Sequence, residues 1–304
     1  MMSEPLVSII MSTYNESIQE LSKSIGSVIG QTYSNLEFII VCDNPSNSEM
    51  VEYLSNIKNR KMQLLINNQN MGLVTSLNRA LGVANGDYIV RMDADDICIS
   101  TRIRDELLFL NQANCDLVGS YVELIDEHDN TIKPIMAFPE QHNQIQKYIR
   151  WGNCVCHPTW LVKREVYEKL DGYRNAPHCE DYDFLNRALL NGYRVGNLAK
   201  VELKYRIRQS GVSKSNAIPQ YLLREHLSAC YQHNTVPTEN EIAIYLNSEG
   251  FISDLHRVNR YYEEKRVFKS GKMIERIKCI PIVCVNKFFW KDLYEKLTLL
   301  ARER

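Results

Sequence analysis

Asp93, Asp95 and Asp96 stand directly behind the apolar stretch Asp87-Tyr-Ile-Val-Arg91. Carboxylates at i and i+2 on a tight loop at a strand end can point into one cleft and hold a hard divalent cation through oxygen; such a cation neutralises a diphosphate. The same triplet is equally consistent with a turn and capping cluster ahead of a helix near Thr101, because aspartate is common at helix starts. Further on, Glu180 and Asp181, with Asp183 beyond, open another helical stretch. Acidic side chains favour a helix N-terminus electrostatically. A carboxylate in a cleft can also take a proton from an attacking hydroxyl. Tyr14 and Asp43 lie in two earlier loops, where a ring can stack on a base and a carboxylate can accept from a base N–H. A tyrosine packed with a wet hydroxyl explains the first equally well.

Several other chemistries are excluded by what is missing. No GxGxxG follows the first strand and no GxxxxGK[ST] occurs, so neither a dinucleotide fingerprint nor a P-loop is supported. No local signature of a serine or cysteine nucleophile is present. The nine cysteines are an odd set without a CxxC pair, which reads as reduced thiols rather than a disulfide framework or zinc site. Cys154 and Cys156 suit one face of a strand better than a metal.

The chain has 304 residues, 44% of them hydrophobic and 24% charged, a soluble globular profile long enough to bury a core and shape a cleft. Its net charge of -1 hides an asymmetry. Residues 251–304 carry 13 Lys+Arg against 7 Asp+Glu, leaving 23 against 30 in residues 1–250. The acidic body repels phosphate backbones, so nucleic acid is not an expected partner. No basic-then-apolar leader and no run of about 18 apolar residues is present, so the chain reads as neither secreted nor membrane-spanning, and cytoplasmic.

The elements that must position the acidic groups follow from periodicity. Leu6–Met11 is an apolar run ending in the polar loop Ser12–Glu16, followed by a helix with Ile18, Leu21, Ile25 and Val28 on one face. The unit recurs as Leu36–Val41 with a loop at 43–46 and a helix near 47–57. It recurs again as Met62–Ile66 with a loop at 67–72 and a helix bearing Leu73, Leu77, Ala80 and Leu81. Asp87–Arg91 is a fourth strand closed by Asp93–Asp96. Strands alternating with helices imply a parallel sheet whose ligands bind beyond the strands' carboxyl ends, where these loops lie. After a helix at about 101–113 the pattern changes. Leu117–Ile125, a turn at 127–130 and Thr131–Ala137 predict an antiparallel hairpin. A helix near 140–151, a strand over 154–163, helices over 164–170 and 181–191, and nearly continuous helix from 219 complete the chain. The expected class is α/β, with a mostly parallel half over residues 1–98, a mixed half over 99–218, and a helical, basic extension over 219–304.

In this order the pieces resemble the family 2 nucleotide-diphospho-sugar glycosyltransferases, with the GT-A fold. The resemblance rests on Val7–Glu16, Gln31–Val41, Asn70–Leu73 running to Asn78, Gly86–Asp96, and His157-Pro-Thr159 through Gly172-Tyr173 to Glu180–Asp183. Carried over position by position, it implies that Ser12, Thr13, Tyr14 and Asp43 hold the uridine and Asp93 lies by the ribose and diphosphate. It also implies that Asp95, with Asp93, ligates Mn2+ or Mg2+, and that Asp181 is the base. Two departures matter. The family's Asp-Asp-Gly-Ser loop is Asp43-Asn-Pro-Ser46, so only Asp43 transfers. A histidine that some members offer after the last core strand is replaced by Arg206-Ile-Arg208, leaving a third metal ligand undefined. Arg206, Arg208 and Lys214 are candidates for phosphate, although solvated surface charge is the plainer reading. Glu180 and His157 are candidates for the acceptor side, although a packed, satisfied histidine is the plainer reading. Trp151 and Trp160 suit core burial better than sugar stacking.

The resemblance implies an inverting transfer of glucose or galactose from a UDP-sugar to an undecaprenyl-diphosphate-linked GlcNAc or GalNAc, forming a β-linkage such as β-1,3 in O-antigen, lipopolysaccharide or capsule. The alternatives are a nucleotidylyltransferase, whose Gly-rich N-terminal signature is missing, and a non-catalytic nucleotide-sugar binder, which retention of Asp95 and Asp181 disfavours. Toward the end, Ile282, Val285, Phe289, Leu293, Leu297 and Leu300 fall at helical spacing with Lys287, Lys291 and Lys296 among them. A basic amphipathic helix of this kind can lie on an anionic membrane, making the protein peripheral on the inner membrane's cytoplasmic face, or pack on the core.

Overall fold

The computed structural model describes residues 4–208 and 216–270. The expected amphipathic helix at 280–300 and Lys214 lie outside them. Two compact units emerge, one of residues up to 208 joined by His226–Val236, the other of Asn216–Glu225 with Pro237 onward.

The first unit opens with three strand-helix repeats: β1 (Val7–Thr13), α1 (Ile18–Ile29), β2 (Leu36–Cys42), α2 (Ser48–Asn56), β3 (Met62–Ile66) and α3 (Leu73–Leu81), then β4 (Tyr88–Asp93). β1 lies parallel to β2 and β4, and β2 parallel to β3. Ile9, Ile10 and Met11 of β1 and Phe38–Cys42 of β2 are buried, the near-continuous apolar pattern of strands covered on both faces. Helix starts are fixed locally. Ser17 and Glu20 form a capping box on α1, and the Asn47 side chain accepts from Met50 N–H to cap α2. Register sets what meets at the sheet's carboxyl end: Ser12 pairs with Asp93 across one side of β1, and Thr13 with Cys42 across the other.

The second half follows as β5 (Ile97–Cys98), α4 (Arg102–Gln112), β6 (Leu117–Ile125), β7 (Thr131–Met136), α5 (His142–Tyr148), 3-10 turns at Ile149–Trp151 and His157–Thr159, β8 (Leu161–Lys163), α6 (Arg164–Leu170), α7 (Glu180–Leu190) and β9 (Val195–Arg206). The nine strands among the described residues join one sheet in the order β3-β2-β1-β4-β8-β6-β9-β5, with β7 on β6. β6 runs antiparallel to β7 and β8 but parallel to β9, so the parallel half continues into a mixed one.

The expected strand over 154–163 is found only at Leu161–Lys163. Pro158 has no N–H for a ladder. Upstream of it the chain folds on itself: Val155 N–H donates to Asn153 Oδ1, the Thr159 hydroxyl to Cys156 O, and Trp160 Nε1 to Val155 O. Cys154 and Cys156 therefore do not share a strand face; both are free thiols, as are all seven described cysteines. Trp160 is wholly buried.

β4 is held from below by an ion pair with no solvent exposure. Arg102 Nε lies 3.1 Å from Glu106 Oε1, which also accepts the Ser120 hydroxyl at 3.1 Å, and Arg102 NH2 donates to the Arg91 carbonyl of β4 at 3.1 Å. Truncating Glu106 strands the guanidinium. Glu106→Ala should cost about 3–5 kcal/mol of unfolding free energy in urea titration. A loss below about 1 kcal/mol would show that Arg102 finds another counter-charge.

The second unit contains the start of α8 (Ala217–Gln232), with α9 (Glu239–Leu246) and α10 (Glu249–Ser270). Its core is Leu222, Phe251, Val258 and Tyr261. Thr238 and Glu241 form a capping box that starts α9.

Candidate active site

At the end of β4 the three aspartates converge: one carboxylate oxygen from each of Asp93, Asp95 and Asp96 lies within 4.8 Å of the others. Each is set differently. The Asp93 carbonyl receives the Ser24 hydroxyl of α1, and its Oδ2 lies 2.5 Å from Arg91 NH1. The Asp95 carbonyl is gripped by Arg206 Nε at 2.9 Å, and its Oδ2 lies 3.0 Å from Arg208 Nε. Asp96 is 1% exposed; its Oδ1 accepts Arg206 N–H, and its buried Oδ2 has no hydrogen-bond partner among the described residues. Burial first, and then Asp93, pushes the Asp95 carboxyl up to about 6 against the pull of Arg208. Burial and both neighbouring aspartates hold Asp96 well above the carboxylate range.

Crowded carboxylates with an unsatisfied buried oxygen suit a hard divalent cation, which relieves the repulsion and fills the vacant acceptor. The donor set is all oxygen, and Asp93 and Asp95 remain partly exposed, so the residues present fit Mg2+ or Mn2+.

The second acidic pair opens α7. Asp181 Oδ2 accepts Asn153 Nδ2 at 2.6 Å and Oδ1 accepts the Tyr182 N–H at 2.7 Å, fixing the side chain from both ends. Burial raises its carboxyl above the usual value, and these hydrogen bonds and Arg91 oppose the rise. Glu180 is pushed up to about 7, by burial and then by Asp181. It also feels the charges of Arg91 and Asp93, which places the start of α7 within electrostatic reach of the end of β4. Asp183 is spent on structure, paired with Arg174 and Arg187.

On the nucleotide side, Ser12 and Thr13 sit at the end of β1, and Tyr14 is 40% exposed. The Thr13 hydroxyl donates to Glu16 Oε2, which also accepts Tyr14 N–H. Asp43 is buried and already receives three donors: Asn67 Nδ2 and Met71 N–H on Oδ1, and Gly72 N–H on Oδ2. Gly72 turns its N–H inward with a φ of 81° that disfavours a side chain. Of roughly four acceptor positions on a carboxylate, about one on Oδ2 is left for a ligand.

One expectation is corrected, and a second candidate is found packed. Arg206 is not available to phosphate: it is 5% exposed and its guanidinium is consumed by the Asp95 carbonyl, the Asp126 carbonyl at 2.7 Å and Asp129 Oδ1 at 2.6 Å. His157 is a packed floor residue rather than an acceptor contact. Its Nε2 pairs with Tyr173 OH at 2.8 Å, its ring lies edge-on to Trp160, and burial drives it well below its usual pKa, so it is neutral. Arg208 lies on a carboxylate, bridging Asp95 and Glu20 Oε2 at 3.3 Å. Asn153, Tyr173 and Arg91 also stand among these residues, through Asp181, His157 and Asp93 respectively. Arg91 carried a signal, since residues i and i+2 of a strand share a face and it precedes Asp93 by two. Asn153 carried none.

A family model described as "Glycosyl transferase family 2" matches residues 8–171, more than half of the chain. The chain belongs to that family. As a family 2 glycosyltransferase it is 34% identical over 233 residues to an uncharacterized glycosyltransferase of Methanocaldococcus jannaschii, covering 74% of this chain and 80% of the relative. It is 31% identical over 229 residues to the O-antigen biosynthesis glycosyltransferase WbnJ of Escherichia coli, covering 73% and 89%. It is 28% identical over 208 residues to the Escherichia coli protein named UDP-Glc:alpha-D-GlcNAc-diphosphoundecaprenol beta-1,3-glucosyltransferase WfaP, covering 68% and 80%. S. aureus TarS, solved with UDP-GlcNAc, shares the fold at a TM-score of 0.61 and 18% identity, covering 91% of this chain and 79% of that one. The GT-A expectation holds, and the nucleotidylyltransferase alternative falls. No helix among the described residues is long and apolar enough to cross a membrane.

Proposed function

We propose that this family 2 glycosyltransferase inverts an α-linked UDP-hexose onto a hydroxyl of a lipid-diphosphate-linked amino sugar, building a β-linkage in a surface polysaccharide such as O-antigen. The observation that carries the reading is the pairing of the β4 aspartate cluster with a carboxylate, Asp181, held at the start of α7 within the field of the same buried arginine. The likeness to WbnJ and to WfaP, whose name specifies a lipid-linked acceptor, supports the acceptor class.

Asp93 and Asp95 would hold Mn2+ or Mg2+, which when bound would supply Lewis-acid stabilisation of the charge on a departing diphosphate. Asp181 accepts the proton of the acceptor hydroxyl as that oxygen bonds to the anomeric carbon and the bond to UDP breaks. Asn153 and the Tyr182 N–H aim its two oxygens. Ser12, Thr13 and Tyr14 flank the nucleoside, and Asp43 contributes chiefly by fixing the 70–72 turn. Such an acceptor places the enzyme at the cytoplasmic membrane surface.

Calorimetry with UDP-glucose, UDP-galactose and UDP-GlcNAc, with and without Mn2+, tests the donor. The expected result is metal-dependent binding of one UDP-hexose, followed by its transfer to a synthetic GlcNAc-diphospho-lipid. Binding of no UDP-sugar, or binding indifferent to metal, removes the reading.

A further inference from the structure

Most buried guanidinium groups in this fold are matched. Arg102 has Glu106; Arg187 has Asp183 with the carbonyls of Leu170 and Gly172; Arg206 has two carbonyls and Asp129. Arg91 differs. It is 3% exposed, it touches one carboxylate, that of Asp93, and its Nε has no hydrogen-bond partner among the described residues. A buried cation with unfilled donors is costly, and a fold keeps one where surrounding negative charge offsets the cost.

That charge is present on two sides. Arg91 and Asp93 share a face of β4, so the guanidinium rises beside the aspartate cluster. The neighbouring floor is the chain of Tyr167, Tyr173 and His157, linked through 2.8 Å contacts, with Tyr173 bracketed by both amide atoms of Asn78. The bracket depends on Gly172, where a Cβ would meet Asn78 Oδ1 at 2.6 Å and φ is +65°. Arg91 acts electrostatically on Asp93, Asp96, Glu180 and Asp181. The β4 backbone is itself pinned there, with Arg91 N–H on the Trp160 carbonyl and its own carbonyl on Arg102.

We propose that Arg91 is the positioning residue of this site: a buried cation shared by the β4 aspartates and the Glu180–Asp181 pair, which fixes the Asp93 carboxylate and offsets the negative charge the two clusters hold in common. The proposal rests on the metal and base roles assigned above. It carries an unusual sign. A cation next to a metal site weakens metal binding, so a residue that merely supports the fold and one that positions charge predict opposite changes.

The test is titration of the purified protein with Mn2+ alone, beside kcat and KM for UDP-glucose turnover. Arg91→Met and Arg91→Gln are each expected to bind Mn2+ about tenfold more tightly than wild type. Their kcat should fall by about a hundredfold while KM for UDP-glucose moves less than about threefold, because an orienting group acts on the reacting geometry. Arg91→Lys, which keeps the charge, should restore most of kcat. Arg91→Gln keeps hydrogen-bond donors and serves where Arg91→Met does not fold. A folded Arg91→Gln that binds Mn2+ no more tightly than wild type, or an Arg91→Lys as slow as Arg91→Gln, overturns the proposal. If wild type takes up no Mn2+, the metal reading fails, and the Arg91 proposal is decided by whether the lysine recovers kcat.

Discussion

Asp181→Asn should lower sugar transfer by about 10^3-fold while leaving UDP affinity within about twofold, since general-base catalysis is worth about 10^2–10^4. Asparagine keeps the shape of the side chain, and its one carbonyl oxygen retains one of the two donors, Asn153 Nδ2 or the Tyr182 N–H, at the start of α7. What is lost is the ability to accept a proton. The pH dependence gives an independent check. Burial holds the Asp181 carboxyl above its ordinary value, and the base works only when ionised. The acid limb of kcat/KM should therefore lie at higher pH than an exposed aspartate gives. The Asn153 hydrogen bond favours the ionised form, so Asn153→Ala should move that limb to still higher pH. Full transfer activity in Asp181→Asn would take the residue out of the reaction.

How much of this was legible in the sequence depended on whether one residue or a fold-wide arrangement had to be known. The β4 triplet was readable because a strand pattern ended on it, and position at a strand end is a local property. The same holds for Asp181, which follows a helix boundary. The phosphate alternative for Arg206 and the acceptor alternative for His157 stay open in the sequence because residue type suggests what a side chain can do but not whether its groups are already taken. Their partners, Asp126, Asp129 and Tyr173, lie well away along the chain. β9 was hard to see for a related reason. Lys200, Glu202 and Lys204 interrupt its apolar alternation, yet Glu202 is buried because Lys200 lies 2.7 Å away, and the register with β6 shifts beside Tyr121. The strand at 154–163 was overcounted because the apolar residues Val155, Trp160 and Leu161 are buried by a turn as readily as by a ladder. Asn153 could not be found from sequence because its role exists only once that turn brings it to Asp181.

Replacing Asp95 by asparagine should have opposite effects on metal binding and on the stability of the metal-free protein. Three carboxylates crowd the end of β4, and burial and mutual repulsion push Asp95 up to about 6. Removing one charge relieves that repulsion, so metal-free Asp95→Asn should melt no lower than wild type, even though Arg208 then keeps, among the described residues, Glu20 as its remaining charged partner. The same change removes a charged oxygen from a hard-cation site, and Mn2+ affinity should fall by about a hundredfold or more. A ligand at a hundred times its dissociation constant stabilises the native state by about 2.7 kcal/mol. Mn2+ at such a concentration should therefore raise the wild-type melting temperature by several degrees and leave Asp95→Asn nearly unmoved. Chelation of wild type should return it to the metal-free value. An Asp95→Asn protein stabilised by Mn2+ as strongly as wild type would show that the ion, if bound, is held elsewhere, and the cluster would then be a turn and cap with no ligand of its own.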